Sequence, residues 1–253
     1  MDMPINLLKR NLMEGNAQIG CWLTLGSGAV AETCACAGFD WLLIDTEHSP
    51  TELSEIHQQL QVINAYKVPS IVRAYWNDAI FIKRLLDLGV QNLLVPYVQS
   101  ASEAKRAVEA VRYPPRGIRG VSGSSRANLY GRVTDYFEHA DNEICLMVQV
   151  ESQVAIGNIK EIAAVDGIDV IFIGPADLAA DMGFLGFPTH PEVKKVVASA
   201  IKEIIGAGKI AATLAFVPED ALAWIDEGAK LLAVNSDMSM LSRTADEVVK
   251  RFK

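Results

Sequence analysis

No apolar run in the sequence approaches the ~20 residues that a membrane-spanning helix needs. The opening stretch MDMPINLLKRNLMEG also lacks the long apolar core and small-residue cleavage site of a secretory signal. Both absences predict a protein of the cytoplasm with no membrane partner. The four cysteines, Cys21, Cys34, Cys36 and Cys145, form no C-x-x-C pair and no zinc-like spacing. Three of them fall in apolar segments, where a thiol is a small hydrophobe, so all are expected to be reduced and structural. Lys and Arg are not clustered: a net charge of −8 spread along the chain excludes the basic surface that nucleic acid requires. Repeats, low-complexity tracts and a linker that would divide the chain are missing. So is a Walker phosphate loop, because GAGKI (206–210) lacks the upstream glycine and the Ser or Thr.

What is present is a chain of 253 residues, 50% hydrophobic and 21% charged, enough for one large core. Eight compact apolar runs alternate with helical patterns: IGCWLTL (19–25), WLLID (41–45), SIVRA (70–74), NLLVPYV (92–98), ICLMVQV (144–150), DVIFIG (169–174), IAATLAF (210–216) and LLAVN (231–235). Most are apolar on both faces, which means strands buried on both sides and joined in parallel through right-handed crossovers. Between them, segments such as TELSEIHQQLQVINAYK and HPEVKKVVASAIKEIIGAG carry helical spacing, and Ile5, Leu8 and Leu12 predict a short amphipathic opening helix. Eight β/α units of this size predict an α/β fold, one (β/α)8 TIM barrel over residues 1–253. The long gap at 99–143 holds a helix and then a Gly, Ser and Arg-rich loop over 113–132. Its length suggests a lid, a binding loop or a subunit contact. Its arginines, Arg116, Arg119, Arg126 and Arg132, could meet an anionic substrate, but solvent exposure or a subunit contact is the better reading for any one of them.

In such a barrel the active site lies at the C-terminal strand ends. Collecting polar residues there gives Asp45, Glu47 and His48 after strand two, Arg73 on strand three, Gln149 and Glu151 after strand five, and Asp177 and Asp181 after strand six. Carboxylates, an arginine and a histidine at one mouth suit an oxygen-ligated divalent cation, an anion clamp and a base. Each also has a plain structural reading. Glu151 or Asp177 alone is more often a helix cap or first-turn acid, Arg73 could pair with a neighbouring acid, and a lone His48 is more often a hydrogen-bonded loop residue. Only the coincidence at the strand ends favours function. GSGAVA (26–31) mimics a dinucleotide fingerprint with Asp45 as the ribose acid. That reductase reading leaves Arg73, Glu151 and Asp177 unexplained, and the Tyr-x-x-x-Lys pair of short-chain reductases is absent.

Taken together, LIDTEHSP (43–50), VRA (72–74), LDLGVQNLLVPYV (86–98), VQVES (148–152) and FIGPADLAADMG (172–183) resemble the HpcH/HpaI family of class II, pyruvate-dependent aldolases. The resemblance runs in the same order from about residue 5 to the C-terminus. It implies a barrel of the phosphoenolpyruvate/pyruvate superfamily type, a homo-oligomer (a hexamer built as a trimer of dimers), and reversible retro-aldol cleavage of a 4-hydroxy-2-oxo acid to pyruvate or a close analogue plus an aldehyde. It further implies that Glu151 and Asp177 ligate Mg²⁺, Mn²⁺ or Co²⁺, with no organic cofactor. His48 is then the base, Arg73 the residue that stabilises the enolate, and Asp87 an acid that raises the basicity of the histidine from an adjoining subunit. Gln149 and the backbone of Ala176 and Asp177 match pyruvate-binding positions, and Leu214 falls where the family lines its aldehyde pocket. One departure is Asn235, which stands where many relatives are expected to have glycine.

The chemistry agrees with these assignments. A 2-oxo acid can chelate a cation, which stabilises the enolate without a lysine Schiff base. Two carboxylates plus two substrate oxygens leave room for water in an octahedral shell. Rival readings are a metal-dependent lyase of the same superfamily acting on acyl-CoA or phosphonate substrates, and a non-catalytic 2-oxo acid binding protein.

Overall fold

The computed structural model describes residues 1–253. Eight strands, β1 (Gln18–Leu23), β2 (Trp41–Asp45), β3 (Ser70–Arg73), β4 (Asn92–Val95), β5 (Cys145–Val150), β6 (Val170–Ile173), β7 (Ile210–Leu214) and β8 (Leu231–Ser236), pair in chain order and close into a barrel. Every pairing is parallel, including that of β8 with β1. The closed ring rules out the open dinucleotide-binding sheet. The Ser27 side chain within GSGAVA instead caps a helix, accepting from the backbone N–H of Val30. All eight apolar runs become strands, but β4 stops at Val95: Pro96 has no N–H to continue a ladder, and Tyr97 turns to a left-handed φ of 53°.

Twelve helices fill the connections: α1 (Leu7–Met13), α2 (Gly28–Ala35), α3 (Leu53–Ala65), α4 (Ala79–Asp87), α5 (Ala101–Val111), α6 (Tyr136–His139), α7 (Gln153–Gly157), α8 (Ile159–Ala163), α9 (Pro175–Asp181), α10 (Pro191–Gly206), α11 (Pro218–Asp226) and α12 (Asp237–Lys250). Their starts follow ordinary capping chemistry. Asp78 and Ser100 accept backbone N–H bonds at the heads of α4 and α5, and Glu52 forms a reciprocal capping box with Glu55 on α3. None is long and apolar enough to cross a membrane.

Side chains alternate across each strand, so the barrel separates two cores. Outward residues such as Leu42, Ile44, Val148 and Ile171 pack against the helices, whereas inward ones such as Trp41, Leu43, Met147 and Phe172 fill the barrel. Leu8 and Leu12 of α1 belong to the inner core and plug its N-terminal end. Asn6 ties the plug in place: its Nδ2 donates to Asn92 Oδ1 at 2.8 Å and its Oδ1 accepts from Lys9 N–H at 3.0 Å. The same parity turns Asp45, Arg73 and Gln149 inward at the opposite end.

At that end the seam between first and last strands is stapled by buried Asp237, which accepts from the backbone N–H and hydroxyl of Thr24, both at 2.9 Å, and from Leu25 N–H at 3.1 Å. The β1–β8 register shifts by one residue between Gly20 and Cys21, so that Gly20 pairs with Ala233 but Cys21 with Asn235. This bulge re-aims the end of β8.

The 113–132 loop is ordered against α4 rather than over the mouth, and no residue of it lines the cavity there. The exposed reading of Arg119 is corrected: it is 1% exposed, 4.4 Å from the Tyr113 ring centroid, and its Nη2 donates to Tyr136 Oη at 3.1 Å. Stacking on aromatic faces lets a guanidinium be buried at lower cost than an ammonium. Arg126 donates to Leu88 O at 2.7 Å and Arg116 pairs with Asp141 at 2.8 Å.

Gly20 creates the space for Trp41, since a Cβ there would lie 2.1 Å from the indole. Gly20→Ala is therefore expected to lower stability by about 1–3 kcal/mol through overpacking. Urea unfolding followed by tryptophan fluorescence checks this, and an unchanged midpoint would refute it.

Candidate active site

Parity and strand ends together put ionisable groups over the last apolar layer of the barrel. Asp45 follows Leu43 by two residues on β2 and pairs in register with Arg73 on β3. The two are buried and joined by parallel hydrogen bonds, Nε to Oδ1 and Nη2 to Oδ2, each 2.8 Å. Glu47 engages the remaining guanidinium nitrogen at 2.6 Å, and the Trp22 ring lies 5.0 Å below Arg73 Cζ. Burial alone would push the Asp45 carboxyl up, but the hydrogen bonds and charge of Arg73 outweigh it and hold the group below its usual range. The turn after β2 is closed on itself: Asp45 Oδ1 accepts from Glu47 N–H at 3.1 Å, and Ser49 Oγ donates to Asp45 O at 2.6 Å. His48 is thereby presented, exposed, at the tip of the turn and at the edge of the cavity.

Glu151, just past β5, is buried, and three features hold it. Gln149 Nε2 donates to its Oε2. The N–H of Tyr97 donates to its Oε1 at 2.8 Å, and Tyr97 adopts its left-handed backbone to make that bond. Gly174 leaves room for it, because a Cβ at that position would fall 2.4 Å from Glu151 Oε2. Asp177 stands in the first turn of α9, whose Leu178 N–H bonds to Gly174 O while the N–H groups of Ala176 and Asp177 precede the helical ladder. Burial, together with the nearby Glu47 and Asp177 carboxylates, holds the Glu151 carboxyl up at about 7 against the hydrogen bonds of Gln149 and Tyr97. Burial likewise pushes Glu47 up, more than the charges of Arg73 and His48 pull it down.

These groups border one cavity of about 320 Å³. One wall carries His48, Arg73, Gln149 and the Gly174–Asp177 turn; the facing wall carries Leu214, Phe216, Val234, Asn235 and residues of α12. No lysine is among the lining residues. The arrangement fits a divalent cation. Three carboxylates crowd together, and Gln149 Oε1 is buried without a hydrogen-bond partner. No set of three or more His, Cys, Asp and Glu is drawn together, so a cation here would depend on two carboxylates, with substrate and water as its other ligands.

The sequence pattern of the HpcH/HpaI aldolase/citrate lyase family matches residues 18–244. The chain belongs to that family. It is 47% identical over its full length to the pyruvate aldolase of Rhizobium etli, covering 99% of that protein. It is 48% identical, over 97% of this chain and 96% of the other, to the hydroxypyruvate/pyruvate aldolase of Sagittula stellata. The crystal structure of an HpcH/HpaI aldolase/citrate lyase family protein from Burkholderia cenocepacia superposes with a TM-score of 0.93 at 36% identity, covering 98% of this chain and 99% of that one.

Of the residues expected from sequence, the cavity brings together His48, Arg73, Gln149, Ala176, Asp177 and Leu214, with Glu151 directly behind Gly174. Asp181 is a structural tie, accepting from Gln153 N–H at 2.7 Å. Asp87 ends α4 outside the barrel and does not line the cavity. Its Oδ1 is buried without a partner; burial pushes the carboxyl up while Arg119 and Lys83 pull it down. Missed from sequence was Trp22, the platform beneath Arg73; the expected pairing of Arg73 with a neighbouring acid is met by Asp45 and Glu47. Strand parity could have assigned Asp45, because it continues the inward series Trp41, Leu43.

The raised Glu151 pKa gives cation binding a pH dependence. The carboxyl is mostly protonated below pH 7, and a cation requires the carboxylate. Mn²⁺ binding at pH 6 is expected to release a proton and to tighten as pH rises toward 7.5. Titration in a weakly buffered indicator solution checks this. Equal release from Glu151→Gln would assign the proton elsewhere.

Proposed function

We infer that the chain is a carbon–carbon lyase, an aldolase that reversibly cleaves a 4-hydroxy-2-oxo acid to pyruvate or hydroxypyruvate and an aldehyde. The observation that carries the reading is the convergence of Asp177, Gln149 and Arg73 on one cavity whose lining contains no lysine, with Glu151 behind Gly174 and bonded to Gln149. A divalent cation held by Glu151 and Asp177, Mg²⁺, Mn²⁺ or Co²⁺, supplies Lewis-acid stabilisation of charge at the keto oxygen.

In this reading the N–H groups of Ala176 and Asp177 receive the carboxylate of the 2-oxo acid at the start of α9. Gln149 orients the acid from the strand beside it. Arg73 is locked by Asp45 and Glu47, so its charge faces the developing oxyanion without reorganising. His48 takes the proton of the C4 hydroxyl, directly or through water. The C3–C4 bond then breaks, the aldehyde leaves along Leu214, and the bonding pair becomes the pyruvate enolate, which is protonated at C3. Asp87 supports His48 from a neighbouring subunit. Assembly as a hexamer, a trimer of dimers, and a cytoplasmic site of action belong to the same reading and rest on the family resemblance.

Exchange of the pyruvate methyl protons in D₂O, followed by NMR, tests the chemistry without knowledge of the aldehyde. Exchange is expected only with divalent cation and is lost in Glu151→Gln and Asp177→Asn. In His48→Ala retro-aldol turnover is expected to fall by about 10²-fold or more, with pyruvate binding retained. Full activity of both carboxylate variants after chelation and cation readdition would sink the proposal. The shared site has its own test: inactive His48→Ala and Asp87→Asn proteins, dissociated and reassembled together, are expected to regain turnover that neither has alone. No recovery on mixing would return Asp87 to a purely structural role.

A further inference from the structure

Away from the cavity, the least balanced group in the chain is the guanidinium of Arg119. It is 1% exposed and spends one nitrogen on Tyr136 Oη, while its Nε and Nη1 are buried without partners. Unpaired buried donors are rare in folded proteins and call for a cause. The backbone around Arg119 is firmly placed: the N–H groups of Ile118 and Arg119 donate to Glu109 O at 2.8 Å and Arg112 O at 2.9 Å, at the end of α5. Gly117 permits this approach, because a Cβ there would collide with both carbonyl oxygens. Further along the same loop, Arg126 donates to Leu88 O just past the end of α4. The loop is thereby clamped to the C-terminal ends of α4 and α5.

The last residue of α4 is Asp87. A carboxylate is disfavoured there twice over, by the negative pole of the helix and by burial, which leaves its Oδ1 without a partner. Two cations oppose this, Arg119 more strongly than Lys83. Yet Arg119 and Asp87 do not close on each other as Arg73 and Asp45 do through two hydrogen bonds of 2.8 Å. Neither of them enters any ion pair of the chain. We propose that Arg119 is a positioning residue for the aldol reaction, holding Asp87 in place as a carboxylate without occupying it, so that Asp87 is free to accept from the histidine of a neighbouring subunit. A direct bidentate bond would stabilise the same charge but take up the acceptor. The proposal rests on the aldolase reading and on the part given there to Asp87. It adds the residue that fits Asp87 for that part, from a loop that does not line the cavity.

The test is a double-mutant cycle on the assembled protein, with cation-dependent cleavage of 4-hydroxy-2-oxopentanoate as the probe reaction. Arg119→Met, which keeps the length of the stem, is expected to lower kcat about tenfold and leave KM within about twofold of wild type, as weakened support for the base requires. Arg119→Lys is expected to recover part of that loss, because it restores the charge. In the Asp87→Asn background, Arg119→Met is expected to change kcat by less than about twofold, since the group it acts through is already neutral. An equal fall in both backgrounds, or an unchanged kcat in Arg119→Met alone, overturns the proposal. Where Arg119→Met does not fold, Arg119→Lys carries the same cycle: a loss of kcat that disappears in the Asp87→Asn background supports the proposal, and one that persists overturns it. Wild-type turnover in Asp87→Asn removes the part given to Asp87 and the proposal with it, leaving the cation-assisted cleavage standing. Wild type that fails to exchange pyruvate protons in the presence of cation removes the aldolase reading itself.

Discussion

A guanidinium held at the top of a closed barrel has to be neutralised where it stands, and most of the mouth follows from how that is done. Arg73 is buried on β3 beside Asp45 on β2, and the two strands pair in the register that sets these residues abreast. Burying either charge alone would cost several kcal/mol, so the pair stands or falls together. Once Asp45 is committed on both oxygens, the turn that follows is fixed by its remaining bonds to Glu47 and Ser49, and that turn presents His48. The positions of His48 and Arg73, the base and the anion-stabilising charge of the proposed reaction, thus come from one ion pair and one short turn, under which Trp22 supplies an apolar platform.

The carboxylates opposite are governed by the reverse condition. Glu151 is buried near Glu47 and Asp177 without a fixed cation of its own, and its carboxyl is held up at about 7. Crowding of like charge is unfavourable in the bare protein, and the divalent ion of the proposed reading would relieve it. The strain is distributed over particular residues: Tyr97 accepts a left-handed backbone, and β6 is followed by Gly174, where any side chain would displace Glu151.

How much of this could be read from the chain depends on whether the signal was local. Strand identity was local, since both-face burial writes itself as continuous apolar runs, and all eight runs became strands. Strand-end residues then gave His48, Arg73, Gln149, Glu151 and Asp177 as one set, because a parallel barrel leaves them no other place to meet. The 113–132 loop was illegible for the opposite reason. Arg119 is buried through stacking on Tyr113 and hydrogen bonding to Tyr136, partners set by loop packing rather than by periodicity. Arg243 is exposed on a helix that is largely exposed, and only the direction of β8 reveals that it reaches the rim of the cavity. Asp87 is a third case: in the proposed reading it acts on a neighbouring subunit, which no periodicity in one chain can signal.

The seam held by Asp237 also bears on the order in which the molecule becomes native. Its bonds to Thr24 span 213 residues, about as far as the chain allows. Contacts of such sequence separation form slowly, because the entropy of closing the intervening loop has to be met before the contact gives anything back. Strands β2 to β6, which carry the ionisable groups, can pair and bury their apolar faces while the ring is still open. The cavity itself is closed only when β8 docks on β1, which brings Trp22 and Thr24 beside Asn235 and Ser236. A newly made chain would therefore possess its reactive half before it possesses a vessel to contain the reaction, and closure of the last seam is the event that turns a stack of β/α units into a catalyst.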